Sequence, residues 1–231
     1  MRVVALEEHF AVPALVRRVD PNAISRRGFR PRKAPAHGPN PLELLPEIGE
    51  QRLKSMDEAG ITVQVLSNSG PGPDLLPGSD GVAMAREMND HLATAIARHP
   101  DRLAGFAALP MQSPDACADE LARAVKDLRF VGALINGTTE GRFLDHPSYD
   151  GLLAAAVELD VPIYIHPHLP PEVVRPTTPV CRQTRASCCN PQVGAGIRRR
   201  RSTCFAWCLL GRWIDIRGCG SSSATWVKCC R

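Results

Sequence analysis

Along the first three-quarters of this 231-residue chain, short apolar runs alternate with longer stretches whose apolar positions return every three or four residues. The runs predict strands buried on both faces, and the stretches predict helices with one buried side. Val3 to Leu6 is the first such strand. Arg52 to Ala59 predicts a helix stopped by Gly60, and Ile61 to Leu66 predicts the strand after it. Val82 to Arg98 predicts a long amphipathic helix closed by Pro100, with a strand over Leu103 to Leu109. Ser113 and Pro114 open a helix, Ser as N-cap and Pro in the first turn, that runs to Leu128. A strand over Val131 to Ile135, a helix over Tyr149 to Leu159 and a strand over Val161 to Ile165 follow. Pro21 to Pro46, rich in Pro, Arg and Gly, predicts an irregular insertion, and Asn68 to Gly78 a Gly/Pro loop. Five apolar strands separated by helices indicate a parallel sheet covered by helices. Five are too few to close an eight-stranded barrel. The expected class is α/β: a partial (β/α)8 TIM-type barrel of about five βα units, spanning residues 1–176 as one domain.

After Pro176 the chain changes character. Eight of nine cysteines (Cys181, Cys188, Cys189, Cys204, Cys208, Cys219, Cys229 and Cys230), all three tryptophans and the run Arg198 to Arg201 lie beyond it. The tail from Thr177 carries a net charge of +9 and the part before it −5, so the overall +4 describes neither. A nucleic-acid arm needs an ordered basic face or a binding motif, and four adjacent arginines supply neither. A zinc module needs spaced ligand pairs, and Cys-Cys doublets without a CxxC or histidine partner do not form a tetrahedron.

A one-base shift in reading frame explains the tail better. From Thr203 to Arg231, ordinary codon choices then permit VLRLVLAGAVDRHPRLRVVIGHMGEMLP: an amphipathic helix, a loop, and a β-branched strand ending in Gly-His. Upstream, Ser202 and Thr203 permit Ile-His or Val-His, and Thr177 and Thr178 permit Tyr-Tyr. Residues 177–231 are therefore expected to be an out-of-frame segment without a packed core, and no nucleic acid is expected as a partner.

The front segment has one cysteine, Cys117, which fits a reducing compartment and a cytoplasmic location. It shows no secretory apolar region after Met1 and no apolar stretch of the roughly 20 residues a membrane span requires. The chemistry sits at two predicted strand ends. The first runs Leu6-Glu7-Glu8-His9-Phe10, where alternation puts Glu7 and His9 on one face and Glu8 on the other. The fifth runs into Ile165-His166-Pro167-His168, at the same carboxyl-terminal rim. Taken singly, these residues could be a solvated turn and a satisfied loop histidine. Together at the rim of a parallel barrel, one carboxylate and two imidazoles, Glu7, His9 and His166, are a ligand set for a divalent metal, with zinc the first choice and manganese the alternative. His91, His99 and His146 read as surface or capping residues, His37 has no evident role, and Asp57, Glu58 and Glu87 read as solvated helix positions.

ALEEHF (5–10), ARHPDRLAGFAALPMQ (97–112), FVGALING (130–137) and VPIYIHP (161–167) make residues 1–176 resemble the amidohydrolase-related decarboxylases. That family includes the γ-resorcylate, 2,3-dihydroxybenzoate and aminocarboxymuconate-semialdehyde decarboxylases. The shifted string resembles the family's continuation. The resemblance assigns Glu7, His9 and His166 as metal ligands, and a glutamate rather than the superfamily's commoner first histidine favours decarboxylase over hydrolase. It implies loss of carbon dioxide from a small aromatic or dienoic carboxylic acid, and homo-oligomeric relatives. It also implies a metal-bound aspartate after an eighth strand and a catalytic histidine after a sixth. Neither exists here, so the acid–base residues are unassigned and the chain is expected to be inactive. The alternative is metal-dependent hydrolysis of an amide or lactone; a basic or cysteine-rich binding protein ranks third.

Overall fold

The computed structural model describes residues 2–26, 40–68, 70 and 72–166, and the backbone of two short segments, 214–217 and 225–229. In chain order the elements begin β1 (Val4–Phe10), α1 (Pro13–Val16), α2 (Pro21–Arg26), α3 (Pro41–Leu44), α4 (Glu50–Glu58) and β2 (Val63–Asn68). They continue α5 (Gly78–Arg98), β3 (Leu103–Ala108), α6 (Pro114–Lys126), β4 (Gly132–Asn136), α7 (Asp150–Glu158) and β5 (Ile163–His166). The first five strands pair in sequence order, every pair parallel. This is the expected partial barrel.

Alternation within the strands explains why they are apolar throughout. On one face of the sheet Val65, Phe106, Leu134 and Tyr164 pack together, joined by Leu6 and Ala104. On the other, Leu66, Leu103, Ala107, Ala133, Ile135 and Ile163 meet Leu92 of α5, Leu121 of α6 and Leu152 of α7. The central strands β2, β3 and β4 are buried on both sides, so period two disappears from their hydropathy. The inner layer fills the barrel half, while the outer layer seats the helices.

Several boundaries differ from expectation for local reasons. β1 extends beyond the apolar run to Phe10, so Glu7, Glu8 and His9 lie within the strand, at the end where the sequence reading puts them. Ser113 stands at the N-cap of α6, but its side chain caps no backbone N–H. Pro114 already removes one orphan donor, and Asp115 in the first turn with Arg123 and Lys126 in the last complements the helix dipole. Within the expected insertion, α2 and α3 are each nucleated by a proline (Pro21, Pro41) whose fixed φ suits a helix start; residues 27–39 lie outside the described residues. Asp57 and Glu87 are not merely solvated: they pair with Arg102 at 2.6 Å and Arg18 at 2.8 Å. His146 accepts a hydrogen bond from Ser148 N, a capping role as read.

Two tail segments for which the sequence predicts no strand, β6 (Ile214–Arg217) and β7 (Thr225–Cys229), form an antiparallel pair, with β7 antiparallel to β5. Ile-Asp-Ile-Arg alternates with strand period, and Thr-Trp-Val has high strand propensity. The remaining expectations for residues 177–231 lie outside the described residues, as does His37.

Candidate metal centre

β1 does not reach the rim as a regular strand. Its register against β2 runs Val4↔Val63 and Ala5↔Gln64, then Glu8↔Leu66 and His9↔Ser67, which leaves one extra residue on β1. Glu7 sits within this bulge with φ 66°, a left-handed conformation a glutamate seldom adopts. The bulge changes the parity of everything after it. Leu6 packs in the inner layer with Val65 and Tyr164, so strict alternation from Leu6 would send Glu7 and His9 outward. With the extra residue His9 shares the inner register of Ser67, and Glu7 turns inward too. The expected common face for Glu7 and His9 is present, and a bulge creates it.

The two strand ends then meet. Glu7, His9 and His166 each offer one ligand atom, and those atoms lie within 4.8 Å of one another. Glu7 Oε1 stands 3.1 Å from His166 Nε2, and Glu7 Oε2 accepts a 2.7 Å hydrogen bond from the Tyr164 hydroxyl. The His9 and His166 rings meet edge to face at 5.4 Å. His9 Nδ1 lies 3.1 Å from Ser67 Oγ, which is 3.4 Å from the Glu8 carbonyl oxygen. The Arg52 guanidinium donates to the His9 carbonyl at 2.9 Å, tying α4 to the ligand strand. Glu8 faces away, as expected: its carboxylate accepts from Gln64 at 3.2 Å. His166 Nδ1 is buried without a partner among the described residues.

Electrostatics favour the ligand states. Burial acts to raise the Glu7 carboxyl, but hydrogen bonds with His166 and Tyr164 and the charges of both histidines outweigh it and hold it below the usual carboxylate range. Burial, then the neighbouring His166, lowers His9 despite the opposing pull of Glu7 and a hydrogen bond to the Ser67 backbone. Glu8 goes the other way, raised by burial that the charge of Arg52 only partly offsets. An anionic Glu7 and a neutral His9 are the forms that bind a metal.

The donor geometry fits such an ion. Ligands about 2.1 Å from a common centre lie at most about 4.2 Å apart, so the observed spread needs only small side-chain movements. A small cleft with about 20 Å³ of water-accessible space is bordered by Asn68, Asp74, Ala108, Leu134, Asn136 and Thr139. Asn136 is the β4 partner of His166, so the cleft borders the ligand rim. Tyr164, Ser67 and Arg52 were not legible as site residues. Tyr164 had a signal, since it lies two residues before His166 on one strand and so shares its face; Ser67 and Arg52 had none.

The chain has clear relatives among known proteins. The sequence matches the amidohydrolase family over residues 14–187. It is 40% identical over 177 residues to the γ-resorcylate decarboxylase of Rhodococcus jostii, covering 72% of this chain and 51% of that protein. The chain thus spans about half the length of the curated relatives it matches. Among solved structures, a 5-carboxyvanillate decarboxylase from Novosphingobium aromaticivorans, complexed with manganese and 4-hydroxy-3-methoxy-5-nitrobenzoic acid, superposes with a TM-score of 0.73 at 30% identity, over 87% of this chain and 60% of that one. The 2,6-dihydroxybenzoate decarboxylase from Rhizobium gives 0.63 at 33% identity, over 86% and 61%.

Proposed function

The chain belongs to the amidohydrolase family, and on that premise we propose that its barrel serves non-oxidative decarboxylation of a hydroxylated aromatic acid at a divalent metal held by Glu7, His9 and His166. One observation carries the reading: a carboxylate oxygen and two imidazole nitrogens from β1 and β5 converge within 4.8 Å at one rim. Likeness to γ-resorcylate and 2,6-dihydroxybenzoate decarboxylases supports the substrate class. Manganese accompanies the 5-carboxyvanillate decarboxylase structure, so we rank manganese ahead of zinc.

Glu7, His9 and His166 would hold the divalent ion, which would supply Lewis acidity and a template for the acid substrate. This chain's own residues prepare for that. Glu7 supplies the anionic charge, and His9 stays neutral behind its burial. The resemblance leads one to expect an aspartate and a histidine from later strands, and the five parallel strands of the described residues supply neither. We therefore read residues 177–231 as an out-of-frame continuation and the 231-residue chain as inactive. A cytoplasmic location follows from the same reading, with Cys117 a free buried thiol.

Carbon dioxide release from 2,6-dihydroxybenzoate tests both parts. The frame-restored protein with Mn²⁺ should turn the acid over, and the 231-residue chain should not. Turnover by the 231-residue chain that His166→Ala abolishes would reject the inactivity. Hydrolysis of amides or lactones without gas release by the restored protein would reject the decarboxylase reading.

A further inference from the structure

Two of the three ligand side chains have their second polar atom already engaged. Glu7 Oε2 is occupied by the Tyr164 hydroxyl at 2.7 Å, leaving Oε1 on the side of His166. Tyr164 is 2% exposed, and its ring stacks on Phe106 at 5.6 Å, so packing rather than solvent determines where the hydroxyl sits. Ser67 is fully buried. Its hydroxyl has one hydrogen and lies 3.4 Å from the Glu8 carbonyl, which can only accept. When Ser67 donates there, its oxygen is left to accept from His9 Nδ1–H at 3.1 Å. That tautomer places the free lone pair on Nε2. The hydrogen bonds cross from β1 to β5 and from β1 to β2, so they lock the bulged strand to both sides of the site.

We propose that Tyr164 and Ser67 are positioning residues of the metal centre: Tyr164 restricts Glu7 to one donor oxygen and Ser67 restricts His9 to its Nε2. This rests on the reading that Glu7, His9 and His166 hold a divalent ion, and goes beyond it by assigning how two of them are aimed. Ligands held in this way lose less freedom on binding, and removing such partners typically weakens metal affinity by about 10- to 100-fold.

The test is Mn²⁺ binding to the full 231-residue chain, measured by competition with a chromophoric chelator. Tyr164→Phe keeps the ring and loses only the hydroxyl. It should weaken binding by about 10-fold or more while the metal-free protein keeps the wild-type near-ultraviolet circular dichroism. In a Glu7→Gln background the same change should cost nothing further, because Tyr164 acts through Glu7. For Ser67, the ring ¹⁵N shifts of His9 in metal-free wild-type protein should show the Nδ1–H tautomer, a readout that needs no variant. Wild-type-like affinity of Tyr164→Phe, or an equal loss in the Glu7→Gln background, would overturn the Tyr164 assignment. A dominant Nε2–H tautomer would overturn that of Ser67. Absence of any Mn²⁺ binding by the wild-type chain would instead reject the metal reading itself, and this inference with it.

Discussion

Cys117 shows how one burial decides a side chain's chemistry. It lies in α6 with no solvent exposure, its sulfur 3.4 Å from the Pro110 carbonyl and 3.8 Å from Met111 Sδ. Burial pushes the thiol up to about 12, despite the charge of Arg142. The protonated thiol is the buried form, so its contribution to stability is complete below the ordinary thiol value of about 8.5 and is lost as the pH climbs towards 12. At pH 8 the reactive thiolate is therefore absent. Iodoacetamide should leave Cys117 unmodified in the native protein and label it in denaturant, as peptide mass spectrometry would show; equal labelling rates would reject the burial. Glu7 illustrates the opposite economy, a non-glycine residue held at φ 66° so that its carboxylate can enter the site. Backbone strain of this kind costs of order 1–3 kcal/mol and persists where surrounding contacts overdetermine it.

Helices α5 and α6 are joined by a buried polar clamp that also holds the end of β3. Asn89 of α5 donates to Glu120 of α6 at 2.7 Å and to the Ala108 carbonyl at 3.0 Å, and accepts from Ala108 N at 2.9 Å. Its amide thus replaces a neighbouring strand for the last residue of β3. Glu120, 1% exposed, is gripped by the Arg123 guanidinium at 2.8 and 2.9 Å and approached by Arg86 at 3.4 Å. The Glu120 hydrogen bond, ahead of that to Asp90, drives Arg123 well above the usual arginine range. Glu120→Ala would leave Asn89 with only its bonds to Ala108, and Arg123 with Asp90 as its remaining ion-pair partner. Breaking a buried pair from one side typically costs about 3–5 kcal/mol, and the partial exposure of Arg123 points to the lower end. Urea denaturation should register a loss of about 3 kcal/mol; a change below about 1 kcal/mol would mean that the clamp is not a stabilising element.

The parallel sheet joins these pieces into one site, since β1 and β5 lie at opposite ends of its parallel part and its curl brings their carboxyl ends together. A metal at that junction would tie the two ends to each other. At free Mn²⁺ a hundredfold above its dissociation constant, binding to the native state alone adds about 2.7 kcal/mol of stability. For a domain of this size that corresponds to a rise in thermal midpoint of roughly 5–10 °C, reversed by a chelator. A midpoint indifferent to both would show that the three side chains hold no ion. Among the described residues no helix is long and apolar enough to cross a membrane.

Much of this was legible before any coordinates. All five parallel strands followed from apolar runs of strand length, because a strand covered on both faces is apolar on both. The convergence of Glu7, His9 and His166 followed from chemistry at strand ends, because parallel strands all open on one rim. The bulge at Glu7 was not legible, since nothing in Leu6-Glu7-Glu8-His9 separates a regular strand from one carrying an extra residue; the register against β2 decided it. Nor were the hydroxyls of Tyr164 and Ser67, or the grip of Asn89 on Ala108. Tyr164 is 157 residues from Glu7 along the chain, and Ser67 is 58 from His9. Local pattern records which face a residue occupies. Which distant atom meets it there depends on strand order, register and curl, which exist only once the sheet has formed.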